Sequence, residues 1–159
     1  MDDSYDVVVI GGGAAGLSGA LTLSRARRSV LVIDAGEPRN APAGHIHNYL
    51  GREGTPPGEL LAIGRKEVAG YGGEIVTGTV TSAEKVGDGE FRVTLADGRT
   101  VGARRLLVTT GLVDVLPDIP GWPNGGDATS CTARTATGGR SGTSRWASWP
   151  AVRWRCTRR

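Results

Sequence analysis

Cysteine is scarce in this chain. The 159 residues hold two, Cys131 and Cys156, in neither a C-x-x-C nor a zinc-ligand spacing. No apolar run is long enough to span a membrane. The short run near the start follows Asp2, Asp3 and Asp6, not basic residues, so it is not read as a signal peptide, and the expected location is the cytoplasm. Histidine is nearly absent too. His45 and His47 lie two apart, on one side of an extended chain, but no third ligand is visible and no metal site is expected.

Other absences are local. Residues 124–159 contain no Leu, Ile, Lys, Glu, Phe or Tyr. They hold seven Arg against one Asp, and three of the four Trp. Residues 1–123 hold 12 Lys and Arg against 15 Asp and Glu. The overall net charge of +3 therefore conceals an acidic body and a basic tail. The tail lacks the apolar periodicity of a packed element and is expected to be disordered.

What is present is concentrated at the front. Val7, Val8, Val9 and Ile10 form a β-branched run suited to a strand buried on both faces. Gly11, Gly13 and Gly16 follow as G-x-G-x-x-G, and Ala14 to Arg25 reads as a helix. The first glycine permits the tight turn, the second lets backbone approach a pyrophosphate, and the third lets helix pack on strand. The helix N-terminus offers N–H groups and a positive dipole end to phosphates. Ser29 to Ile33 reads as the second strand, and Asp34 closes it where a carboxylate meets ribose hydroxyls. The alternative is a βα turn with no ligand and an Asp that only caps a strand.

Residues 35–58 form a long connection rich in Gly, Pro, Asn and His. Its place after the carboxyl end of a strand suits a ligand-facing loop. Pro57 to Gly70 reads as a helix with Leu60, Leu61, Ile63, Glu67 and Val68 as its inward stripe, and Glu74 to Val76 as a strand. The period then changes. Val80–Ala83, Glu90–Leu95 and Arg99–Val101 read as an antiparallel meander with turns at Gly87-Asp88-Gly89 and Asp97-Gly98. Arg105 to Thr109 reads as a separate buried strand ending at Thr110-Gly111.

The glycine motif, the Pro38-Arg39-Asn40 loop, the segment His47 to Gly51, the meander and the Thr110-Gly111 end together resemble the FAD domain of thioredoxin reductase-like flavoproteins, over about residues 5–123. The resemblance implies that Gly11, Gly13, Ala14, Ala15 and Gly16 cradle the FAD pyrophosphate and that Asp34, where many relatives carry Glu, holds the adenosine ribose. It implies that Asn40 and Asn48 face the flavin, that Val80 contacts adenine through its backbone, and that Thr110 and Gly111 match the family's A-T-G, with Thr109 in place of Ala. Full-length relatives add a domain for NADPH or NADH, a C-x-x-C pair and a C-terminal segment completing the FAD site. Their expected partner is a thioredoxin-like protein or a small disulfide, and their expected assembly a homodimer. This sequence shows no second G-x-G-x-x-G and no C-x-x-C.

The tail has its own reading. Thr129 to Thr143, read one base out of frame with GC-rich third bases, gives DVLHCPYCHGWEVRD. That resembles the family's C-P-Y-C segment, and deletion of one G after the codon for Pro123 produces Asn124-Gly125-Gly126 from Glu-Arg-Trp. The expected organisation is an incomplete α/β Rossmann-like FAD/NAD(P)-binding domain over 1–123, with a meander insert, followed by an aberrant tail over 124–159. No catalytic residue is expected in the chain itself, and little turnover. Two alternatives stand. One is a single-Rossmann NAD-dependent dehydrogenase, although no Tyr-x-x-x-Lys pair is present. The other is a nucleotide-binding module whose basic tail contacts nucleic acid.

Overall fold

In the computed structural model, residues 4–113 are described. The expectations for Val115 to Pro123 and for the tail at 124–159, including its disorder and its two cysteines, lie outside these residues. The order of elements is β1 (Ser4–Ile10), α1 (Ala14–Arg25), β2 (Val30–Asp34), α2 (Pro57–Gly70), β3 (Glu74–Thr77), β4 (Val80–Gly87), β5 (Glu90–Leu95) and β6 (Thr100–Val108). The six strands form one sheet in the order β3-β2-β1-β6-β5-β4. β1 lies between β2 and β6, parallel to both, and β2 pairs in parallel with β3. β4, β5 and the start of β6 are antiparallel.

The apolar run of β1 splits between two cores, because successive strand residues face opposite sides. Val7 and Val9, with Val30 and Val32 of β2, meet Leu17 and Ala20 of α1 and Leu61 and Val68 of α2. Val8, with Leu31 and Ile33, meets Val93 and Leu95 of β5 and Ala103 of β6. β5 borders only β6 and β4 in the sheet, so its contact with β2 residues means the meander curls over the face the helices leave open. Gly78, in the β3–β4 link, permits this: a Cβ there would meet Leu95 at 2.8 Å, with Ile33 beyond at 3.8 Å.

One expectation is corrected. The third meander strand and the returning buried strand are a single strand, β6. Its residues 100–103 pair with β5 and its residues 102–108 with β1. Gly102, Arg104 and Arg105 interrupt the apolar pattern without interrupting the ladder, since backbone pairing is indifferent to side chains that face solvent. Arg104 instead reaches Asp6 on β1, Nη1 to Oδ1 at 3.3 Å. β4 also runs four residues beyond its expected end, with irregular register near Lys85.

α1 begins and ends where expected. Past its C-terminus, Arg27 takes a left-handed φ of 58°, and its N–H donates to the Ser24 carbonyl. α2 also matches its expected bounds; its buried residues are Pro57, Leu61 and Val68, with Leu60, Ile63 and Arg65 partly buried beside them, while Glu67 faces solvent. The connection 35–56 is internally braced. Ile46 N–H donates to Thr55 O, and Gly54 N–H to Ile46 O. Glu53 accepts from the Asn48 N–H at 2.8 Å and pairs with His47 Nδ1 at 2.7 Å.

Two outcomes follow from these contacts. Ser24 Oγ is buried with no hydrogen-bond partner, a desolvation cost without return. Ser24→Ala should therefore raise stability by about 1 kcal/mol, read from denaturant melts. Asp6 is held below its ordinary value chiefly by the Ser29 N–H and also by Arg28 and Arg104. A carboxylate depressed in the folded state contributes stability that is complete above its unfolded value of about 3.9 and lost as pH falls through the folded value. Asp6→Asn should flatten the acid limb of stability against pH below about pH 4 and leave its neutral limb without slope change.

Candidate functional site

The glycine turn sits at the carboxyl edge of the parallel strands, where β1 hands over to α1. Gly11 has φ 104°, and its N–H donates to Ile33 O at 2.8 Å. A Cβ at Gly11 would collide with the Thr109 carbonyl, and one at Gly16 with the Gly11 carbonyl. These two glycines therefore allow three backbone segments to meet without side chains between them. Thr109 Oγ1 fills the remaining gap, within 2.8 Å of Gly11 O and 3.1 Å of Ile10 O. The hydroxyl has one proton to donate across both carbonyls. Thr109 in place of Ala thus adds a link between β6 and the turn.

Gly13 behaves differently. It is the N-cap of α1, with φ −72°, and makes no side-chain cap. Nothing lies within 4 Å of a Cβ built there. Ala14 and Ala15, the exposed start of the helix, follow it. The first N–H groups of a helix have no intrahelical partner, so this uncapped end presents donors and a positive dipole end toward open space.

Asp34 closes β2 beside this turn, 19% exposed. Its Oδ1 accepts from the Gly12 N–H at 3.1 Å, and its Oδ2 from Arg65 Nη2 at 2.7 Å. Gly12 is buried, and a Cβ there would meet the Asp34 side chain at 2.8–2.9 Å. Asp34, Gly36, Arg65, Lys66, Ala69 and Thr77 border an open cavity of about 630 Å³. A second cleft of about 460 Å³ runs between α1 and α2, where Ala14, Leu17 and Ser18 face Tyr49, Leu50 and Arg52.

Of the residues read from sequence, Gly11, Gly16, Asp34 and Thr110 meet at the sheet edge, with Gly13, Ala14 and Ala15 at the adjoining helix start. Thr110 Cα lies 3.2 Å from the position of a Gly11 Cβ, and Gly111 follows with φ 73°. Val80 opens β4 and pairs with Leu95. It stands two residues beyond Gly78, whose N–H donates to Asp34 O at 3.0 Å. Asn40 and Asn48 are exposed in the connection 35–56. Asn48 holds a left-handed φ of 60°, and the residues after it line the α1–α2 cleft. Among the described residues, no group of three His, Cys, Asp or Glu could hold a metal ion. No helix among them is long and apolar enough to cross a membrane.

Two residues at the site escape a reading of motifs. Gly12 is one of the unassigned positions of G-x-G-x-x-G, yet it is the glycine that touches the acid. Arg65 passes for a solvent-facing charge, although its spacing from Leu61 and Val68 places it at the border of the inward face of α2. That spacing was the available signal.

Residues 5–142 match the pyridine nucleotide-disulphide oxidoreductase family. Thioredoxin reductase tcpT of Claviceps purpurea is 35% identical over 120 residues, covering 74% of this chain and 37% of that protein. The crystal structure of HlmI aligns with TM-score 0.71 at 50% identity, over 74% of this chain and 38% of the other. An oxidoreductase from Agrobacterium tumefaciens aligns with TM-score 0.70 at 45% identity, over 75% and 40%. The chain spans between 30% and 40% of the length of the first curated relatives it matches. A family match across most of the chain and a fold shared with solved relatives agree with the geometry of the turn: the chain belongs to the pyridine nucleotide-disulphide oxidoreductase family, in its thioredoxin reductase-like branch.

Proposed function

We propose that residues 1–123 are the FAD-binding part of a thioredoxin reductase-like enzyme. Thioredoxin reductases of this family use FAD and NADPH. The observation that carries the reading is the uncapped N-terminus of α1, open above Gly13 and flanked by an acid already oriented by Gly12. That arrangement fits a dinucleotide: donors and a dipole for the pyrophosphate, a carboxylate for ribose hydroxyls. In this reading Gly11, Gly13, Ala14, Ala15 and Gly16 hold the pyrophosphate, and Asp34 the adenosine ribose. Val80 borders adenine, Asn40 and Asn48 lie toward the flavin, and Thr110 and Gly111, the A-T-G match, close the turn beside Gly11. When bound, FAD supplies the two-electron step between a nicotinamide and a disulfide, and the protein supplies position and exclusion of water. The natural acceptor in this reading is a thioredoxin-like protein or a small disulfide.

We further propose that residues 124–159 are an out-of-frame translation and that the chain as it stands is inactive alone. The charge and composition break near Pro123 supports this, as does the C-P-Y-C recovered by a one-base shift. Curated relatives cover about three quarters of the chain, which accords with a boundary in that region. The family match runs on to residue 142, so sequencing of the gene around the codon for Pro123 decides the point.

Two experiments test the function. Reconstituted with FAD, the purified chain should show flavin absorbance, and Gly13→Val should abolish it while leaving the melting temperature of the unliganded protein unchanged within a few degrees, since a Cβ there points into open space. Equal FAD affinity in the two would overturn the pyrophosphate assignment. Inserting one G after the codon for Pro123 should give a yellow protein that oxidises NAD(P)H with a disulfide acceptor, while the chain as it stands does not. Equal activity in both, or a stop codon soon after the corrected base, would overturn the frame reading.

A further inference from the structure

We infer that Arg65 is a positioning residue for nucleotide recognition: it holds the Asp34 carboxylate in the orientation that reads the hydroxyls of an adenosine ribose. The inference rests on the FAD reading above and concerns a residue which that reading leaves out.

Arg65 stands on α2 between the buried Leu61 and Val68, at the border of the face turned to the sheet, where its side chain is partly covered. It finds Asp34, Nη2 to Oδ2 at 2.7 Å, and the pair is only partly exposed, 39% on Arg65 and 19% on Asp34. The partner oxygen Oδ1 is taken by the Gly12 N–H. One donor on each oxygen, from two different elements, fixes the plane of the carboxylate. An ionised carboxylate has about four acceptor positions, so both oxygens retain capacity for a diol.

The length of the acid makes the second donor necessary. Asp is one methylene shorter than Glu, and here its Cβ and Cγ rest against Gly12, where no other residue would fit. The carboxylate is drawn back toward the turn. Arg65 approaches from the cavity side, where Gly36, Lys66 and Thr77 also stand. Without Arg65, Oδ2 has no donor among the contacts Asp34 makes, and the plane of the carboxylate is set by the Gly12 N–H alone.

The test uses the full 159-residue chain and two soluble probes, ADP and 2′-deoxy-ADP, titrated calorimetrically. The parent should prefer ADP by about tenfold, the value of one hydrogen bond to a charged group. Arg65→Met keeps the stem and removes the charge. It should cut ADP affinity about tenfold and bring the two ligands to near-equal affinity. Arg65→Lys should restore part of the preference, because a single ammonium donor still reaches a carboxylate. The melting temperatures of all three unliganded proteins should agree within about 2–4 °C, as expected for a partly exposed pair. A parent that binds neither ligand would overturn the FAD reading and this inference together. A parent that discriminates beside an Arg65→Met variant that discriminates equally would overturn this inference alone. Tighter ADP binding by Arg65→Met would also overturn it, since the guanidinium would then be competing with the ribose.

Discussion

The structure depends on how closely backbone can approach backbone at one edge of its sheet. The turn after β1, the first turn of α1 and the end of β6 converge at Gly11, Gly16 and Thr109, where added Cβ atoms would overlap main-chain carbonyls. This convergence sets the axis of α1 against β1 and β6, and so decides where the uncapped helix start points. It also brings the Gly12 N–H to Asp34. A hydroxyl at Thr109 completes the junction by sharing its proton between the Ile10 and Gly11 carbonyls. Such a junction tolerates no gain of volume, because interiors at this density have no spare room.

A second economy lies in how the sheet is covered. Parallel strands need cover on both faces, and this chain supplies only two helices among its described residues, both on one side. The other side is closed by the sheet itself, as β5 folds Val93 and Leu95 over Val8, Leu31 and Ile33. Val8 and Val93 are thereby completely excluded from solvent, as Val9 and Val32 are beneath the helices on the other face. β6 passes from pairing with β5 to pairing with β1 at Gly102 and Ala103, the latter almost fully buried and opposite Phe91 in the ladder.

The extent to which this was legible in sequence follows from the physics of each element. The β1–α1–β2 unit was readable because glycines, apolar runs and a terminal acid each have a steric or electrostatic reason to stand where they do. α2 was readable at both ends, since Pro57 can start a helix and Gly72, with a left-handed φ of 83°, followed by Gly73, ends one. The unity of β6 was hidden, because its ladder is made of backbone and its side chains alternate between Leu106 or Leu107 inside and Arg104 or Arg105 outside. At the site, the residues with a recurrent motif were found, and those defined by contact were not. Gly12 matters through a single neighbouring side chain, and Arg65 through an acid thirty-one positions earlier. A helical template that assigns every charge to solvent misses Arg65, because it weighs polarity and ignores the partner that draws a half-covered charge toward the sheet edge.

The pairing of β1 with β6 has a consequence in time. Ser4 faces Gly102 and Ile10 faces Val108, so the middle of the sheet joins the first of the described strands to the last of them. Translation at about 5–20 residues per second separates their emergence by roughly 5–20 s. During that interval β1 can pair only on the β2 side, and its other edge, lined by Val7, Val8 and Val9, is an open template for foreign strands. The centre of the sheet, its most buried part, is therefore the last to close on the ribosome, and the nascent chain meets its greatest hazard of aggregation before the glycine turn has its third wall.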